Sequence, residues 1–474
     1  MAYADMREYL AALERAGKLH RVRAEVDKSW EVAAVARRVF QNIPPERRPA
    51  LLFERVAGHT VPIACGLLGA SREVYALALE TTVEGIGERW AQAQTDQVPP
   101  EIVTSGPCKE VIKHGAEVDL GYLPVPTWTV EHDPAPFFTS PFVITKDPDT
   151  GVRNVGTYRM QLKGRNRTGI GGFHVGGVQH IAMQIRRYRA LGRKMPVAVV
   201  VGADPTIGLV SVTRVPYDAD EFAVAGGLRR APVPLVRCET VDLEVPATAE
   251  FVLEGKVDPD YLEEEGPFGE FPGYMGAAGK NVVFQVNCLT HRRDPIYQAF
   301  VSQMPPSESS RIRGIGREVA LLKHLQQVMN MPVRDVHYLE AGGSTAYVAI
   351  SVRKERETLP REVMWATWAH QPSFAKIVVV VDDDIDVRDQ FALNWALSFR
   401  IQPAHDVYVE RDTLAVNLDP SQAPPGVPST DRARLIGSKL GIDATRKFPY
   451  PATALPPREH LEQVDHRWRE YGFA

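Results

Sequence analysis

The sequence predicts a mixed architecture in which α/β regions flank a β-rich region. Helical and extended patterns mix up to about Pro107, short β-rich runs between Gly and Pro turns follow, and strands alternate with helices near the C-terminus. With 474 residues, and roughly 150 residues per domain, two or three domains are expected. The changes in pattern divide the chain into residues 1–106, 107–310, 311–330 and 331–474.

The first region is predicted to be α/β. Met6, Tyr9, Leu10 and Leu13 share one face of a helix over 5–16, and Gly17 ends that helix. The patterns that follow predict a helix after residue 29, a strand over 51–56 and a helix after residue 71.

The middle region is predicted to form a sheet or a barrel, because short strands with turn signals recur at regular intervals. Polar and apolar residues alternate poorly in several of these strands, which indicates burial on both faces. The predicted strands cover 141–145, 154–162, 180–185, 197–202, 235–241 and 281–290.

A long helix over 311–329 is predicted to lead into the last region. Strands over 345–352 and 376–381 then alternate with helices over 361–370 and 387–400. This order is typical of βαβ units.

Composition and charge describe an ordinary globular chain. Hydrophobic residues make up 44% and charged residues 24%, and a net charge of −4 is too small to indicate nucleic acid or an acidic membrane surface as a partner. The four cysteines form no C-x-x-C pair and fit a reducing compartment. Because the N-terminus lacks a signal-peptide pattern and no apolar run approaches the ~20 residues of a membrane span, we expect a cytoplasmic protein.

Two carboxylates stand close together in the stretch Glu265-Gly-Pro-Phe-Gly-Glu270. Gly266 and Pro267 exclude a helix interior, so we predict a loop that can bring both carboxylates to one site. Phe268 supplies an apolar wall, and apolar surroundings raise the pKa of a carboxyl group. Two carboxylates in different environments can divide acid and base roles between them. A solvated acidic turn explains the local sequence equally well.

Asn154, His180 and Glu221 form a second candidate set, predicted on a strand, at the start of another strand and at the start of a helix. Such nitrogen and oxygen donors suit Mn²⁺ or Mg²⁺, while a structural role for the histidine is the alternative. Arg159 lies five positions after Asn154, so both side chains reach one site only if the strand bends between them. The Gly-rich stretch 169–177 either approaches a ligand closely or forms a plain flexible loop.

These residues carry a resemblance to the UbiD family of reversible decarboxylases, which use prenylated FMN. The motifs occur in the family's order along nearly the whole chain, and the block from Glu265 to Glu270 is the most specific of them. The motifs are Asn154-Val-Gly-Thr-Tyr-Arg159, Gln179-His180, Asp220-Glu221-Phe222, Val245-Pro-Ala-Thr-Ala-Glu250, Glu265-Gly-Pro-Phe-Gly-Glu270 and Ser438-Lys-Leu-Gly-Ile-Asp-Ala-Thr445.

The resemblance implies an N-terminal α/β region, a flavin-binding split β-barrel, a linking helix and a C-terminal α/β dimerisation domain, and hence a homodimer or a higher homo-oligomer. It also implies prenylated FMN supplied by a flavin prenyltransferase, a divalent Mn²⁺ or Mg²⁺ that bridges to the cofactor phosphate, and a nearby K⁺. The implied metal ligands are Asn154, His180 and Glu221; the implied catalytic residues are Arg159, Glu265 and Glu270; and the further implied cofactor contacts are Tyr158, Gln179, Ser211 and Lys439.

The implied reaction is the non-oxidative decarboxylation of an aromatic, heteroaromatic or α,β-unsaturated carboxylic acid through a covalent adduct with the cofactor. Loss of CO₂ from such a carbon leaves a carbanion for which no side chain offers an adequate electron sink. Glu270 is expected to donate the replacing proton. Arg159 is expected to hold the substrate carboxylate and to pair with Glu265, because a guanidinium matches carboxylate geometry.

Two other functions remain as alternatives. An FMN-dependent reductase on a split barrel leaves both glutamates unexplained, and the chain has no dinucleotide fingerprint. A non-catalytic flavin-binding subunit of a carboxylase complex would be expected to lose Arg159 or a glutamate.

The far wall of the substrate pocket is predicted to come from residues 302–313 and the C-terminal domain. Arg311 and Arg313 could meet a second acidic group there, although exposed arginines at a helix start explain them better.

Overall fold

The computed structural model describes residues 3–172, 179–414, 416, 418–422 and 436–473. The Gly-rich stretch 169–177 therefore lies partly outside the described residues. The fold is a mixed α/β fold with four sheets among the described residues. No helix in these ranges is both long and apolar enough to cross a membrane.

Most strands of the described residues lie in the middle of the chain, between Glu101 and Ala299. The helices are Met6–Arg15 (α1), Glu31–Asn42 (α2), Arg72–Ala78 (α3), Ile86–Thr95 (α4), His180–Ala190 (α5), Pro205–Val210 (α6), Glu221–Arg229 (α7), Glu308–Lys323 (α8), Leu359–His370 (α9), Gln390–Phe399 (α10), Pro403–Asp406 (α11) and Arg458–His466 (α12). The first strands are Leu19–Val26 (β1), Ala50–Val56 (β2), Ile63–Cys65 (β3), Glu101–Ile102 (β4), Val111–His114 (β5), Phe137–Phe138 (β6), Phe142–Lys146 (β7), Arg153–Thr157 (β8), Met160–Gly164 (β9), Arg167–Ile170 (β10) and Met195–Val201 (β11). The remaining strands are Pro234–Arg237 (β12), Glu244–Pro246 (β13), Phe251–Glu265 (β14), Gly279–His291 (β15), Tyr297–Ala299 (β16), Val333–Tyr338 (β17), Tyr347–Val352 (β18), Ile377–Asp382 (β19), Val407–Leu414 (β20) and Ile436–Ala444 (β21).

The N-terminal sheet has the order β1-β2-β3-β16. Asp5 caps α1 by accepting hydrogen bonds from the backbone N–H groups of Arg7 and Glu8, and Gly17 follows with a φ of +67°. Since β16 pairs with β3 from far along the chain, this sheet is completed by a segment at the end of the β-rich region. One continuous apolar core accordingly extends from Met6 to Ile315.

The central sheet is curled. Its strand order is β6-β9-β10-β15-β14-β11-β7-β8, with β5 paired to β15. In a flat sheet, six spacings of about 4.8 Å would put β9 roughly 29 Å from β8. The chain joins these two strands through Tyr158 and Arg159, which reach about 10 Å. The sheet therefore has to bend until its two ends approach, and Tyr158 and Arg159 cross the seam between them.

Asn154 and Arg159 are five positions apart and would face opposite sides of one regular strand. The break between β8 and β9 at the seam provides the bend that lets both side chains reach one site. The predicted strand 154–162 is two strands, β8 and β9, which pair with different neighbours. The predicted strand 180–185 is wrong, because these residues belong to helix α5. Ile181, Ile185 and Tyr188 recur at helical spacing and are all buried, so a short apolar run was misread as a strand.

The C-terminal sheet has the order β17-β18-β19-β21-β20 and is covered on both faces. Val378 and Val380 of β19 belong to one apolar cluster, whereas Val379 and Val381 belong to another. This division follows from the alternation of side chains along a strand. Helix α8, which continues as a π-helix over His324–Val328, leads from the central sheet to this one.

Candidate functional site

A cavity of about 490 Å³ opens beside the seam of the central sheet. It brings together eight of the ten predicted site residues as lining residues: Asn154, Tyr158, Arg159, Gln179, His180, Ser211, Glu221 and Glu270. Residues from strands, helix starts and the loop after β14 thus meet at one place.

Arg159 lies between the two predicted glutamates at one end of this cavity. Its Nε donates a hydrogen bond to Glu265 Oε1 at 2.9 Å, and its Nη1 donates to Glu270 Oε1. Its Cζ lies 5.6 Å from the ring centroid of Phe268. Glu265 therefore belongs to the same cluster through Arg159, although it does not line the cavity itself.

The local backbone explains how the two carboxylates meet the same guanidinium. Glu265 is the last residue of β14, and the chain turns after Gly266 and Pro267 as expected. The turn closes through a hydrogen bond from the Glu270 N–H to the carbonyl oxygen of Tyr274, at 2.9 Å.

Gly171 leaves the space that Glu265 occupies. A Cβ atom at this position would lie 2.1 Å from Glu265 Oε1, and the Gly171 N–H donates to the carbonyl oxygen of Arg159 at 2.9 Å. Close approach of a side chain to the backbone is the structural reason for a glycine at position 171.

Burial dominates the electrostatics of both glutamates. It raises the pKa of Glu265, which is 1% exposed, against the opposing effect of the Arg159 guanidinium. Burial likewise raises the pKa of Glu270, while Arg159 and then Arg313 oppose the rise. A carboxyl group with a raised pKa can carry a proton closer to neutral pH, as a general acid must.

Asn154, His180 and Glu221 converge at another part of the cavity. His180 is the first residue of α5, Glu221 is the first residue of α7, and Asn154 lies on β8. His180 Nδ1 is 3.8 Å from Glu221 Oε1, and Asn154 Nδ2 donates to Thr145 Oγ1 at 3.3 Å. Glu221 is at the start of a helix, as predicted, and Asp220 caps that helix.

These three side chains fit a divalent cation. The Oε2 atom of Glu221 is buried and has no hydrogen-bond partner within the described residues. Because buried carboxylate oxygens are normally hydrogen-bonded or bound to an ion, this atom is available to coordinate a metal. An imidazole, a carboxylate and an amide oxygen suit Mn²⁺ or Mg²⁺. Among the described residues, no group of three or more His, Cys, Asp or Glu side chains is placed to hold a metal ion, so the amide of Asn154 would have to serve as one of the ligands.

Tyr158 and Ser211 also line the cavity. Gly156 accommodates the Tyr158 ring, because a Cβ atom there would lie 2.5 Å from Tyr158 Cε2. Ser211 follows α6, and its Oγ lies 2.8 Å from Thr157 Oγ1 and donates to the Gly208 carbonyl oxygen at 2.8 Å. Gln179 precedes α5 and lines the cavity, with no side-chain capping bond.

Lys439 is not brought to this cavity. It lies on β21, and its Nζ donates a hydrogen bond to the carbonyl oxygen of Phe374 at 2.8 Å. Burial lowers the pKa of its ammonium group to about 8. Its predicted contact with the cofactor stays a prediction.

The far wall contains residues whose role the sequence left open. Ser302, Ser309 and Arg313 line the cavity, so the predicted segment contributes to it. The preference for exposed helix-start arginines is wrong, since Arg311 is 8% exposed and pairs with Glu340, while Arg313 faces the cavity. Arg311 and Arg313 lie on different faces of α8, and this helix has buried residues along most of its length.

Sequence reasoning missed the segment after Ser211. Val212, Thr213, Arg214 and Val215 also line the cavity, and they continue directly from a predicted site residue. That adjacency, in the turn between α6 and α7, is the signal that would have found them.

Three family models match the chain in succession. They are the N-terminal domain of 3-octaprenyl-4-hydroxybenzoate carboxy-lyase over residues 10–94, its Rift-related domain over 101–305 and its C-terminal domain over 310–444. Together they cover most of the sequence.

Similar proteins match over nearly their whole length. An uncharacterised protein of Synechocystis sp., sll0936, is 32% identical over 505 aligned positions, which cover 99% of this chain and 96% of that protein. The UbiD-class enzyme HmfF from Pelotomaculum thermopropionicum, in complex with FMN, is 35% identical, with a TM-score of 0.86 and coverage of 98% of this chain and 100% of HmfF. An evolved dimeric form of HmfF in complex with prFMN has a TM-score of 0.83 at the same identity and coverage.

A decarboxylase structure supports the same relationship. The vanillic acid decarboxylase of Sedimentibacter hydroxybenzoicus, in an open form with truncated ShVdcD, is 29% identical with a TM-score of 0.84, over 99% of each chain. The matched domains, the shared fold and the full coverage agree with the resemblance that the motifs carry. The chain belongs to the UbiD family of carboxy-lyases.

Proposed function

We propose that this enzyme catalyses the reversible, non-oxidative decarboxylation of an aromatic, heteroaromatic or α,β-unsaturated carboxylic acid, with Glu270 as the proton donor. The observation that carries the proposal is the position of Arg159, which is hydrogen-bonded to both Glu265 and Glu270 at the wall of a ligand-sized cavity. A cation that binds carboxylates and a carboxyl group with a raised pKa are the two protein groups that such a reaction needs.

We infer that prenylated FMN, made by a flavin prenyltransferase, occupies the cavity. HmfF binds FMN, and its evolved form binds prFMN. When bound, this cofactor supplies the electron sink that side chains lack. Asn154, His180 and Glu221 would hold a divalent Mn²⁺ or Mg²⁺ beside the cofactor phosphate, and the buried Oε2 atom of Glu221 supports this assignment. A neighbouring K⁺ is proposed from the family resemblance alone.

The cavity's own residues then have separate tasks. Arg159 binds the substrate carboxylate, which competes with Glu270 for the guanidinium. As Arg159 turns to the substrate, Glu270 loses the cation that opposes its protonation, so its pKa rises further. After CO₂ has left, the Glu270 carboxyl group donates its proton to the carbon that carried the carboxylate. Glu265 stays paired with Arg159 Nε and fixes the orientation of the guanidinium.

We also propose a C-terminal dimerisation domain over 331–474, after a linking helix over 311–330, and a cytoplasmic homodimer or higher homo-oligomer. Helix α12 has no buried side chain, although it carries Leu461 and Val464. Phe391 and Phe399 of α10 are 80% and 70% exposed. Apolar side chains left open in this way favour contact with a second copy. Light scattering coupled to size-exclusion chromatography measures the oligomeric mass.

The test of the proposed function is a mass and absorbance spectrum of the bound cofactor after co-expression with a flavin prenyltransferase. We expect the mass of prenylated FMN, followed by CO₂ release from acids of an aromatic panel. Plain FMN together with nicotinamide-dependent reduction would instead establish the reductase, and a protein that binds prenylated FMN but releases no CO₂ from the panel would contradict the proposed substrate class.

A further inference from the structure

One buried carboxylate, that of Asp147, connects the elements that carry the candidate metal ligands. Asp147 follows β7 and begins the turn into β8, the strand of Asn154. Its Oδ1 accepts hydrogen bonds from the backbone N–H groups of Asp149 and Thr150, each at 3.0 Å. An aspartate that accepts backbone hydrogen bonds in this way is typical of a tight turn, and one oxygen is enough for it.

The second oxygen of Asp147 serves two side chains from other elements. Its Oδ2 accepts hydrogen bonds from Arg187 Nη1 and from the Tyr217 hydroxyl. Burial alone would raise the pKa of Asp147, but the hydrogen bond from Tyr217, those of the turn and the charge of Arg187 outweigh burial and lower the pKa. Burial and then the hydrogen bond to Asp147 raise the pKa of Tyr217 to about 12, so the hydroxyl keeps the proton that it donates.

Both of these side chains are connected to His180. Arg187 lies on α5 seven positions after His180, which places the two residues on the same face of the helix, two turns apart. The Tyr217 ring meets the His180 imidazole edge-on, with ring centroids 5.0 Å apart. Arg187 Cζ lies 5.3 Å from the Tyr217 ring centroid. Asp147 therefore holds both α5 and the aromatic neighbour of its first residue.

The segment that contains Tyr217 also leads to the carboxylate ligand. Tyr217 lies four positions before Glu221, and Asp220 caps α7. Arg153, beside Asn154 on β8, donates to Asp220 Oδ2 through Nη2 at 2.5 Å and through Nε at 3.2 Å. The elements of all three candidate ligands are thus joined by charged hydrogen bonds, which are stronger than neutral ones.

We propose that Asp147 is a positioning residue for the divalent metal: it holds β8, α5 and the segment before α7 so that the three candidate ligands are in place before the ion binds. This inference rests on the metal site of the proposed function. Without these links, the ion would have to order the ligand-bearing elements as it binds. Groups that orient metal ligands typically account for about 10- to 100-fold in metal affinity.

The experiment measures the affinity of the full-length holoenzyme for Mn²⁺ by competition with a chelator, followed through the electron paramagnetic resonance spectrum of the ion. Asp147→Asn keeps an oxygen for the turn but removes the ionised acceptor, so we expect it to lower the affinity about 10- to 100-fold. Arg187→Met and Tyr217→Phe each break one link and should each lower the affinity by less. At saturating Mn²⁺ the spectrum of Asp147→Asn should match that of the wild type, because the ligands themselves are unchanged.

Glu254→Gln is the matched control. Glu254 is also buried in the central sheet, and it accepts hydrogen bonds from the backbone N–H groups of Glu239 and Thr240, in a turn between β12 and β13 that carries no candidate ligand. This variant should lower the thermal midpoint of unfolding, as Asp147→Asn does, but keep the wild-type affinity for Mn²⁺. An equal loss of affinity in both variants would reflect a general loss of stability and overturn the role of Asp147.

The other outcomes separate this inference from the proposed function. Wild-type affinity in Asp147→Asn, or in both Arg187→Met and Tyr217→Phe if the first variant does not fold, would overturn the positioning role, as would a changed spectrum at saturation. The expected Mn²⁺ affinities without CO₂ release from the aromatic panel would support Asp147 and remove the decarboxylase. A wild-type holoenzyme that holds no divalent ion would overturn the ligand set and the role of Asp147 with it.

Discussion

The carboxyl group of Glu270 is hydrogen-bonded to Arg159, and its pKa reflects burial opposed by the charges of Arg159 and Arg313. Arg159 holds it in position, and the turn from Glu270 to Tyr274 fixes its backbone. Because a general acid typically contributes 10²–10⁴-fold, we expect Glu270→Gln to lower decarboxylation turnover by about that factor with the fold intact. Single-substrate kinetics and a circular dichroism spectrum measure the two quantities.

The control for this variant is Glu264→Gln, which removes an exposed carboxylate from the same segment. Near-wild-type turnover is expected for the control. Full activity of Glu270→Gln would remove Glu270 from the proton transfer and leave another group to be found.

The pH profile tests the same carboxyl group without removing it. Decarboxylation needs Glu270 protonated, so turnover should fall as pH rises through its pKa, which burial raises above the ordinary value of 4.5. The positive charge of Arg313 opposes that rise. Arg313→Met should therefore raise the pKa further and move the alkaline limb of the kcat profile to higher pH. Profiles for a monocarboxylic acid, in wild type and variant, measure the shift.

A limb that moves to lower pH in Arg313→Met, or stays where it is, would show that Glu270 does not set it. Arg334→Met is the control, since the Arg334 guanidinium pairs with Asp383 at 3.7 Å and does not line the cavity.

Two of the candidate metal ligands, His180 and Glu221, lie at the starts of helices. His180 and Glu221 are each the first residue of a helix, α5 and α7, and the start of a helix favours negative charge. An element that begins at the cavity presents both its backbone N–H groups and its first side chain there. The helix starts would favour the phosphate of the proposed cofactor, whereas the proposed divalent cation would depend on the side chains of His180 and Glu221.

Glu221→Gln tests whether the side chain at the start of α7 binds the divalent metal. It keeps the shape of the side chain but removes the charge of a buried carboxylate, so we expect bound divalent metal to fall at least about tenfold, with loss of flavin. Metal analysis and flavin absorbance of the purified protein measure both. Asp218→Asn removes an exposed carboxylate nearby and should leave metal and flavin unchanged. Equal metal content in Glu221→Gln would contradict the assignment of the ligand set.

Helices were predicted correctly where the sequence shows a helical period of apolar residues or an N-terminal capping residue. Helix α1 has four apolar residues on one face and Asp5 at its start, and α3 begins after Ser71, which caps it. Helix α5 was misread because Gln179-His180-Ile181 follows a Gly-rich stretch and has no side-chain cap. Its helical period becomes visible only when Tyr188 is included.

At the scale of the whole molecule, the mixed α/β class could be predicted from the sequence, but the closure of the central sheet could not. Adjacent strands β8 and β9 pair with different partners, and local sequence does not encode which distant strands pair. The motifs brought Arg159 and the glutamates together only through the family resemblance. The burial of Arg311 and the position of Arg313 at the cavity depend on how α8 packs, so neither could be predicted from a helix start.

A buried ion triad ties these regions together. Arg48 precedes β2, Arg311 lies on α8 and Glu340 follows β17, and all three side chains are nearly inaccessible to water. Arg48 Nη1 donates to Glu340 Oε1 at 2.8 Å and to Oε2 at 3.0 Å, and Arg311 Nη1 also donates to Oε1. Burial alone would raise the pKa of Glu340, but Arg311 and Arg48 outweigh it and lower the pKa.

Glu340→Gln should therefore destabilise the protein by about 3–5 kcal/mol at neutral pH, because it leaves two buried guanidinium groups without their anion. A carboxyl group whose pKa is lower in the folded state stabilises the fold above its unfolded pKa and loses that effect as pH falls through the folded pKa. The difference between wild type and variant should accordingly shrink below the ordinary value of 4.5. Urea unfolding followed by circular dichroism at several pH values measures it, with Glu355→Gln, from an exposed pair with Arg353, as the control. A difference of less than ~1 kcal/mol at neutral pH would mean that the regions are held together by their apolar contacts and not by the triad.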